Sequence, residues 1–255
     1  MENDLKNTGV LFCRCSAGII PPEKLDRMAS AVAESKAHVV ELHDLCALSV
    51  DNADKLKTLV NRFQNKVIVA CYPRAVENML LQSGVPVDNL KVLNFRRQSV
   101  DSVREELMAL PAEESPLRES LRSNLSVPAW FPVIEQKRCT SCGQCARFCL
   151  FGVYRFEEKK LHVENPLNCK NNCPACARSC PVSAIIFPRI KEDGVIAGAE
   201  PGEVRVDLSA PQGGPLLSRL QQRGDVRRSI LRTSLIQQAE AERQKAIDEQ
   251  NNQNN

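Results

Sequence analysis

The sequence predicts an α/β fold: a small open parallel sheet with helices on both faces, followed by a cysteine-rich segment and a helical C-terminal tail. Two observations lead to this prediction. Over the first 110 residues, short apolar runs alternate with amphipathic helical stretches, which is the pattern of parallel strands joined by crossover helices. Beyond them, eight of the 12 cysteines fall between residues 139 and 180.

The first segment contains four predicted strand–helix pairs. Pro21 starts the first helix, Asp51 is predicted to cap the second helix, and Gly84 ends the third. The run VIVA within the third strand is continuously apolar, as strands buried on both faces are. The predicted strands are residues 9–13, 37–45, 66–70 and 90–95, and the predicted helices are residues 21–35, 51–63, 74–84 and 100–110.

The rest of the chain divides where its composition changes. A proline-containing linker is expected to hold one short helix and to pack through Trp130 and Phe131 on the segment after it, with partner docking by Trp130 as the alternative. The tail contains a predicted edge strand at residues 203–208 and a helix that either lies on the surface or docks another subunit. The predicted divisions are residues 1–110, 111–132, 133–190 and 191–255.

Charge and composition argue against several classes of protein. A net charge of +3 and only 4% aromatic residues do not fit a nucleic-acid-binding protein. No apolar run approaches the ~20 residues that a membrane span needs, and no signal-peptide pattern opens the sequence. We therefore expect a cytoplasmic protein with no membrane span and no nucleic-acid partner.

The spacing of the cysteines indicates metal binding. In a reducing compartment, clustered thiols favour metal ligation over disulfides. The two runs are CTSCGQCARFC and CKNNCPACARSCP, in which CARFC matches CARSC. Phe156 precedes Phe187 by the same 31 residues that separate Cys149 from Cys180, so the two runs form an internal repeat.

These runs resemble the bacterial ferredoxin domain that carries two [4Fe–4S] clusters, over about residues 133–188. The resemblance implies an α+β module in which each run supplies three ligands to one cluster and its fourth cysteine to the other. The implied ligands are Cys139, Cys142, Cys145 and Cys180 for cluster I, and Cys169, Cys173, Cys176 and Cys149 for cluster II. The alternative for the same thiols is a pair of zinc knuckles.

Two positions depart from the ferredoxin pattern. Three residues rather than two separate Cys169 from Cys173, and Leu150 stands where the family usually has proline. Neither departure removes a ligand. The longer loop is expected to change the hydrogen bonds around cluster II and its reduction potential.

The other four cysteines lie at the ends of predicted strands. Cys13 and Cys15 end the first strand, Cys46 follows the second strand and Cys71 follows the third. Because the carboxyl ends of parallel strands share one edge of a sheet, the four thiols are expected to converge there. Three interpretations remain open: a metal or cluster site, a redox-active pair at Cys13 and Cys15, or ordinary buried cysteines.

The cysteine-bearing segments GVLFCRCSAGI, LHDLC and VIVACYPRAVENML look like the N-terminal domain of the heterodisulfide reductase A subunit, over about residues 8–108. The residues that carry this resemblance are Cys13, Cys15, Cys46, Cys71, Pro73 and Arg74. It implies a third site on the four cysteines, for a [4Fe–4S] cluster or zinc. The Ser-x-Pro-Gly expected after Cys46 and the His-Glu pair expected after the proline are not present.

Together the resemblances imply an iron–sulfur electron-transfer protein that passes low-potential electrons to or from a partner oxidoreductase of the heterodisulfide reductase type, a flavoprotein or a reductase subunit. The sequence contains no G-x-G-x-x-G motif, P-loop or nucleophile elbow, so neither flavin nor NAD nor a catalytic residue is predicted. We expect an electron-transfer subunit rather than a stand-alone enzyme. The alternatives are an iron–sulfur redox sensor and a thiol/disulfide reductase acting at the N-terminal cysteines.

Overall fold

A five-stranded sheet forms the first part of the computed structural model, which describes residues 6–201. Its strands are β1 (Lys6–Arg14), β2 (His38–His43), β3 (Phe63–Ala70), β4 (Leu90–Asn94) and β5 (Arg118–Arg122). All neighbours pair in parallel, in the order β4-β3-β1-β2-β5. The predicted α/β class with a parallel sheet is therefore confirmed. The predicted edge strand at residues 203–208 and the C-terminal helix lie outside the described residues.

Five helices connect these strands. They are α1 (Pro22–Ala33), α2 (Leu45–Asp51), α3 (Ala53–Val60), α4 (Pro73–Gln82) and α5 (Val100–Met108). Both α1 and α4 begin at a proline, whose missing N–H would have no partner in the first helical turn. Met28, Leu56 and Met79 are fully or almost fully buried, because each helix turns its apolar side to the sheet.

The second crossover differs from its prediction. Asp44 caps α2, because its carboxylate accepts the Ala47 N–H at 3.2 Å, and Asp51 is the last residue of that helix. Asn52 separates α2 from α3, so the prediction of Asp51 as a helix N-cap is wrong. The Asp51 carboxylate instead accepts hydrogen bonds from Ser123 Oγ at 2.9 Å and from the backbone N–H of Asn124 at 2.8 Å.

The linker contains a strand where a short helix was predicted. β5 pairs with β2 along the edge of the sheet, and the backbone N–H of Leu117 donates to His38 Nδ1 at 3.0 Å just before it. The prediction of a helix here is wrong. In a segment this short, ladder hydrogen bonds to a neighbouring strand outweigh local helix propensity.

The cysteine-rich segment consists of two small antiparallel pairs and two five-residue helices. β6 (Val133–Ile134) pairs with β9 (Ile185–Ile186), and β7 (Tyr154–Glu157) pairs with β8 (Lys160–Val163). The helices are α6 (Gln144–Phe148) and α7 (Ala175–Ser179). Each helix begins one residue before the third cysteine of its run and ends one residue before the fourth, so the sequence repeat is also a structural repeat.

Candidate functional site

Each of two cavities in the cysteine-rich segment is lined by four cysteines. Cys139, Cys142, Cys145 and Cys180 line the first cavity. Cys149, Cys169, Cys173 and Cys176 line the second cavity. The structure thus brings together, at each cavity, three cysteines of one run and the last cysteine of the other run.

The two short helices account for this exchange. Cys145 lies in the first turn of α6, and Cys149 follows the last residue of α6 with an extended backbone. The same relation holds for Cys176 and Cys180 at α7, which packs against α6. Because one helical turn and a change to extended backbone separate the two cysteines of each pair, their thiols lie at different cavities.

Residues with left-handed backbone shape the loops around the cavities. Gly143, which precedes α6, has φ of 68°, and a Cβ atom there would lie 3.1 Å from the ring of Phe156. Glycine at this position therefore adopts the left-handed backbone angle without strain and leaves room for the Phe156 ring. In the longer second loop, Asn172 has φ of 60° and the Cys173 N–H donates to the Lys170 carbonyl at 3.1 Å, which closes a turn.

Several hydrogen-bond donors point at these sulfur atoms. The Ala184 N–H donates to Cys180 Sγ at 3.3 Å, and the Tyr154 hydroxyl donates to Cys176 Sγ at 3.0 Å. Burial raises the pKa of Cys176 to about 11, while the Tyr154 hydroxyl acts in the opposite direction. Buried sulfur atoms that accept hydrogen bonds are the environment in which proteins hold iron–sulfur clusters.

The second cavity borders an exposed apolar patch, formed by Phe148, Leu150 and Phe151 next to Cys149. The exposed fractions of these side chains are 57%, 91% and 42%. Leu150 occupies the position at which the ferredoxin pattern has proline, so this departure places a large apolar side chain in solvent beside a candidate ligand.

The structure also brings the four N-terminal cysteines to one edge of the sheet. Cys13 is the penultimate residue of β1, Cys15 lies just beyond β1, Cys46 is in the first turn of α2, and Cys71 follows β3. All except Cys15 are buried. The pKa of Cys13 is raised well above its ordinary value, first by burial and then by the charges of Cys15, Cys71 and Cys46.

Two arginines that the sequence analysis did not single out reach this edge. Arg189 pairs with Asp44 and donates to Ser16 Oγ at 3.2 Å. The guanidinium of Arg96 lies 5.3 Å from the ring centre of Tyr72 and pairs with Asp193 at 2.8 Å. Arg189 is more than 100 residues from Asp44 along the chain. No local pattern in the sequence therefore predicts that the two side chains pair.

The described residues were also compared with the requirements of a single-ion metal site and of a membrane-spanning helix. Within residues 6–201, no three His, Cys, Asp or Glu side chains form a group that could hold a single metal ion. None of the helices in the same range is long and apolar enough to cross a membrane.

Comparison with known proteins supports the interpretation of the cysteine runs. An uncharacterized ferredoxin of Methanocaldococcus jannaschii is 44% identical to this chain over 61 residues. The match covers 24% of this chain and 42% of that protein, which is less than half the length of either. No family model matches the chain. The similarity supports a ferredoxin-like region, and it does not extend to the resemblance with the heterodisulfide reductase A subunit.

Proposed function

We propose that this chain is an iron–sulfur electron-transfer protein that holds two [4Fe–4S] clusters and exchanges low-potential electrons with a partner oxidoreductase. The proposed ligands are Cys139, Cys142, Cys145 and Cys180 for cluster I, and Cys149, Cys169, Cys173 and Cys176 for cluster II. The observation that carries the proposal is the sorting of eight cysteines into two cavities of four. The partial similarity to a protein named a ferredoxin agrees with it.

The residues of the two cavities fit such clusters chemically. Each cavity offers four thiols, which is the number of ligands that a [4Fe–4S] cluster takes. When bound, the cluster supplies reversible one-electron chemistry. The chain holds the sulfur atoms in place through α6 and α7, and directs Tyr154 and the Ala184 N–H towards Cys176 and Cys180. Ile185, which is buried, gives the cluster I cavity part of an apolar wall.

We extend the proposal to a third site on Cys13, Cys15, Cys46 and Cys71, for a [4Fe–4S] cluster rather than for zinc, because no group of three such side chains among residues 6–201 is arranged to hold a single metal ion. The Leu45 N–H donates to Cys13 Sγ at 3.5 Å, and the Ala17 N–H donates to Cys15 Sγ at 3.4 Å. The positive charges of Arg96 and Arg189 oppose the rise in the pKa of Cys15 that burial causes, and so favour its thiolate.

The proposed partner is a flavoprotein or reductase subunit of the heterodisulfide reductase type. This part of the proposal rests on the resemblance carried by the N-terminal cysteines, Pro73 and Arg74. Cytoplasmic localisation is proposed with it, because low-potential clusters and twelve unpaired cysteines suit a reducing compartment.

Analysis of iron and acid-labile sulfide in the anaerobically purified full-length chain tests the proposal. Two clusters give about eight irons and eight sulfides, and a cluster at the third site adds about four of each. We expect Cys142→Ser to remove cluster I iron, Cys173→Ser to remove cluster II iron, and Cys46→Ser to affect the third site alone. Stoichiometric zinc without iron would contradict the proposal.

The same preparations carry their own control. Ser179 is next to Cys180, and its hydroxyl donates to the Cys176 carbonyl at 3.1 Å rather than to a sulfur atom, so Ser179→Ala should leave the iron content unchanged. We also expect no flavin absorbance in the supernatant after denaturation, because no dinucleotide-binding motif is present in the sequence.

A further inference from the structure

A buried tryptophan that precedes the ferredoxin-like segment has an N–H group without a conventional partner. Trp130 is 6% exposed, and its ring stacks on Phe187 with 5.2 Å between ring centres and 24° between planes. In the described part of the chain, only Arg62 Nε and Trp130 Nε1 are buried side-chain nitrogens without a hydrogen bond. Arg62 still pairs with Glu119 through Nη2 at 2.8 Å, whereas the indole has no second donor.

The indole N–H lies close to Cys169, one of the thiols that line the second cavity. It makes no hydrogen bond of standard geometry, yet it is near enough to the thiol of Cys169 to act on it as a donor. Pro132, two residues after Trp130, lines this cavity together with Cys169.

A donor in this position needs an acceptor. Buried N–H groups are almost always paired in folded proteins, and leaving one unpaired is destabilising. A thiol sulfur is a weak acceptor, whereas a cluster-bound thiolate carries negative charge and accepts more strongly. The buried indole is therefore placed for a negatively charged sulfur at Cys169.

We infer that Trp130 is a positioning residue for cluster II, and that its indole N–H donates to the cluster-bound sulfur of Cys169 and raises the reduction potential of that cluster. The inference rests on the proposed function, because it requires a cluster on Cys169. Its physical basis is that reduction adds negative charge to the cluster, so a hydrogen bond to sulfur stabilises the reduced state more than the oxidised state. The linker thereby gives the two clusters different environments.

The experiment uses the fact that Trp130 is the sole tryptophan of the chain. Expression in a tryptophan auxotroph supplied with 3-benzothienylalanine replaces the indole N–H by sulfur at this one position and keeps the size and shape of the ring. In an EPR-monitored redox titration, we expect the midpoint potential of one cluster to become more negative and that of the other to stay unchanged. Trp130→Phe should shift the same cluster in the same direction.

A second readout identifies the cluster. In the Cys142→Ser background, which is designed to remove cluster I, we expect pulsed EPR of the reduced protein with ¹⁵N-indole label to detect a ¹⁵N coupling. The matched control is Phe131→Leu, which changes the adjacent buried aromatic residue and removes no N–H. It should leave the difference between the two potentials unchanged.

Three results would overturn the inference. These are unchanged potentials in the benzothienyl protein, equal shifts of both clusters, and the lack of a ¹⁵N coupling to the cluster that remains. Failure of the proposed function has a different signature, because the unlabelled and unsubstituted protein would then lack iron. The iron content is therefore measured first.

Discussion

Cys71 shows at the scale of a single residue how burial controls a candidate ligand. It follows β3, is 6% exposed, and has a pKa raised from 9.0 to about 12. Burial is the largest cause, the charge of a Cys15 thiolate adds to it, and Arg96 opposes it. Without a metal, this thiol therefore stays protonated at neutral pH.

The stability of chelator-treated, metal-free protein should fall as pH rises from about 9 towards 12. A group whose pKa is higher in the folded state holds its proton more tightly there, so its contribution is complete below the unfolded value of 9.0 and is lost as pH approaches the folded value of about 12. Urea unfolding at several pH values measures this. Cys71→Ala should make the dependence shallower; an identical slope for both proteins would contradict the assignment.

The residues of the candidate site differ in how far the sequence could predict them. The cysteines were predictable because thiol spacing and strand ends are local features. Arg189 was not, because its position beside Asp44 results from the packing of the cysteine-rich segment on the sheet. Packing of Trp130 on the segment after the linker was predicted and agrees with its contact with Phe187, but the position of its N–H beside Cys169 depends on the folded chain.

At the scale of an element, the packing of β1 on β3 depends on a missing side chain. Gly9 lies in the middle of β1, and a Cβ atom there would approach Cγ of Phe63 to 2.3 Å. Phe63 is 1% exposed at the start of β3, so its ring has little room to move. The two residues therefore form one packing unit.

Gly9→Ala should reduce the free energy of unfolding by roughly 1–3 kcal/mol, the usual cost of overpacking a core. Urea denaturation followed by circular dichroism measures the change, and Ser30→Ala on the exposed side of α1 is the control with little effect. Combining Gly9→Ala with Phe63→Leu should cost less than the sum of the single changes, because the smaller side chain relieves the contact. Strict additivity would argue against the proposed clash.

Elements of this fold were predictable where the apolar pattern was long. The strand that continues into the VIVA run and the helices begun by proline were identified from the sequence, within a few residues of their ends. The short elements were not: LCAL at the start of α2 fits the end of a strand as well as a helix, and RESLR in β5 has no helical or strand period of its own. Hydrogen bonding to β2 makes RESLR a strand, and the Asp44 cap starts the helix at LCAL.

At the scale of the whole molecule, one buried arginine links the sheet layer to the cysteine-rich segment. Arg74 is 3% exposed in the first turn of α4. Its Nε pairs with Glu135 at 2.7 Å, its Nη1 donates to the Val195 carbonyl at 2.9 Å, and its Nη2 donates to the Ser183 carbonyl. These bonds connect a helix of the sheet layer to two separate parts of the cysteine-rich segment and to the chain that follows it.

The connection has a consequence for the candidate sites. Arg74 comes three residues after Cys71, and Ser183 comes three residues after Cys180. One guanidinium therefore fixes the loop that bears an N-terminal candidate ligand against the loop that bears a cluster I candidate ligand. In the sequence, Arg74 stood out only as one of the residues that carry the resemblance to the heterodisulfide reductase A subunit. Its contact with Ser183 was not predictable, because residues more than 100 positions apart leave no local pattern.

Arg74→Met should destabilise the protein by about 3–5 kcal/mol, because it leaves Glu135 and several carbonyl groups in the interface with fewer partners. Arg138→Met is the matched control: Arg138 contacts the same Glu135 carboxylate at 3.1 Å, but its side chain is 36% exposed, so its loss should cost at most about 1 kcal/mol. Urea unfolding of the anaerobically purified, metal-loaded variants gives both values. Equal losses from the two variants would show that burial of Arg74 does not join the two parts of the molecule. A larger loss from Arg74→Met, with faster alkylation of cysteines in the folded state, is the result expected if this guanidinium holds both thiol-bearing loops in place.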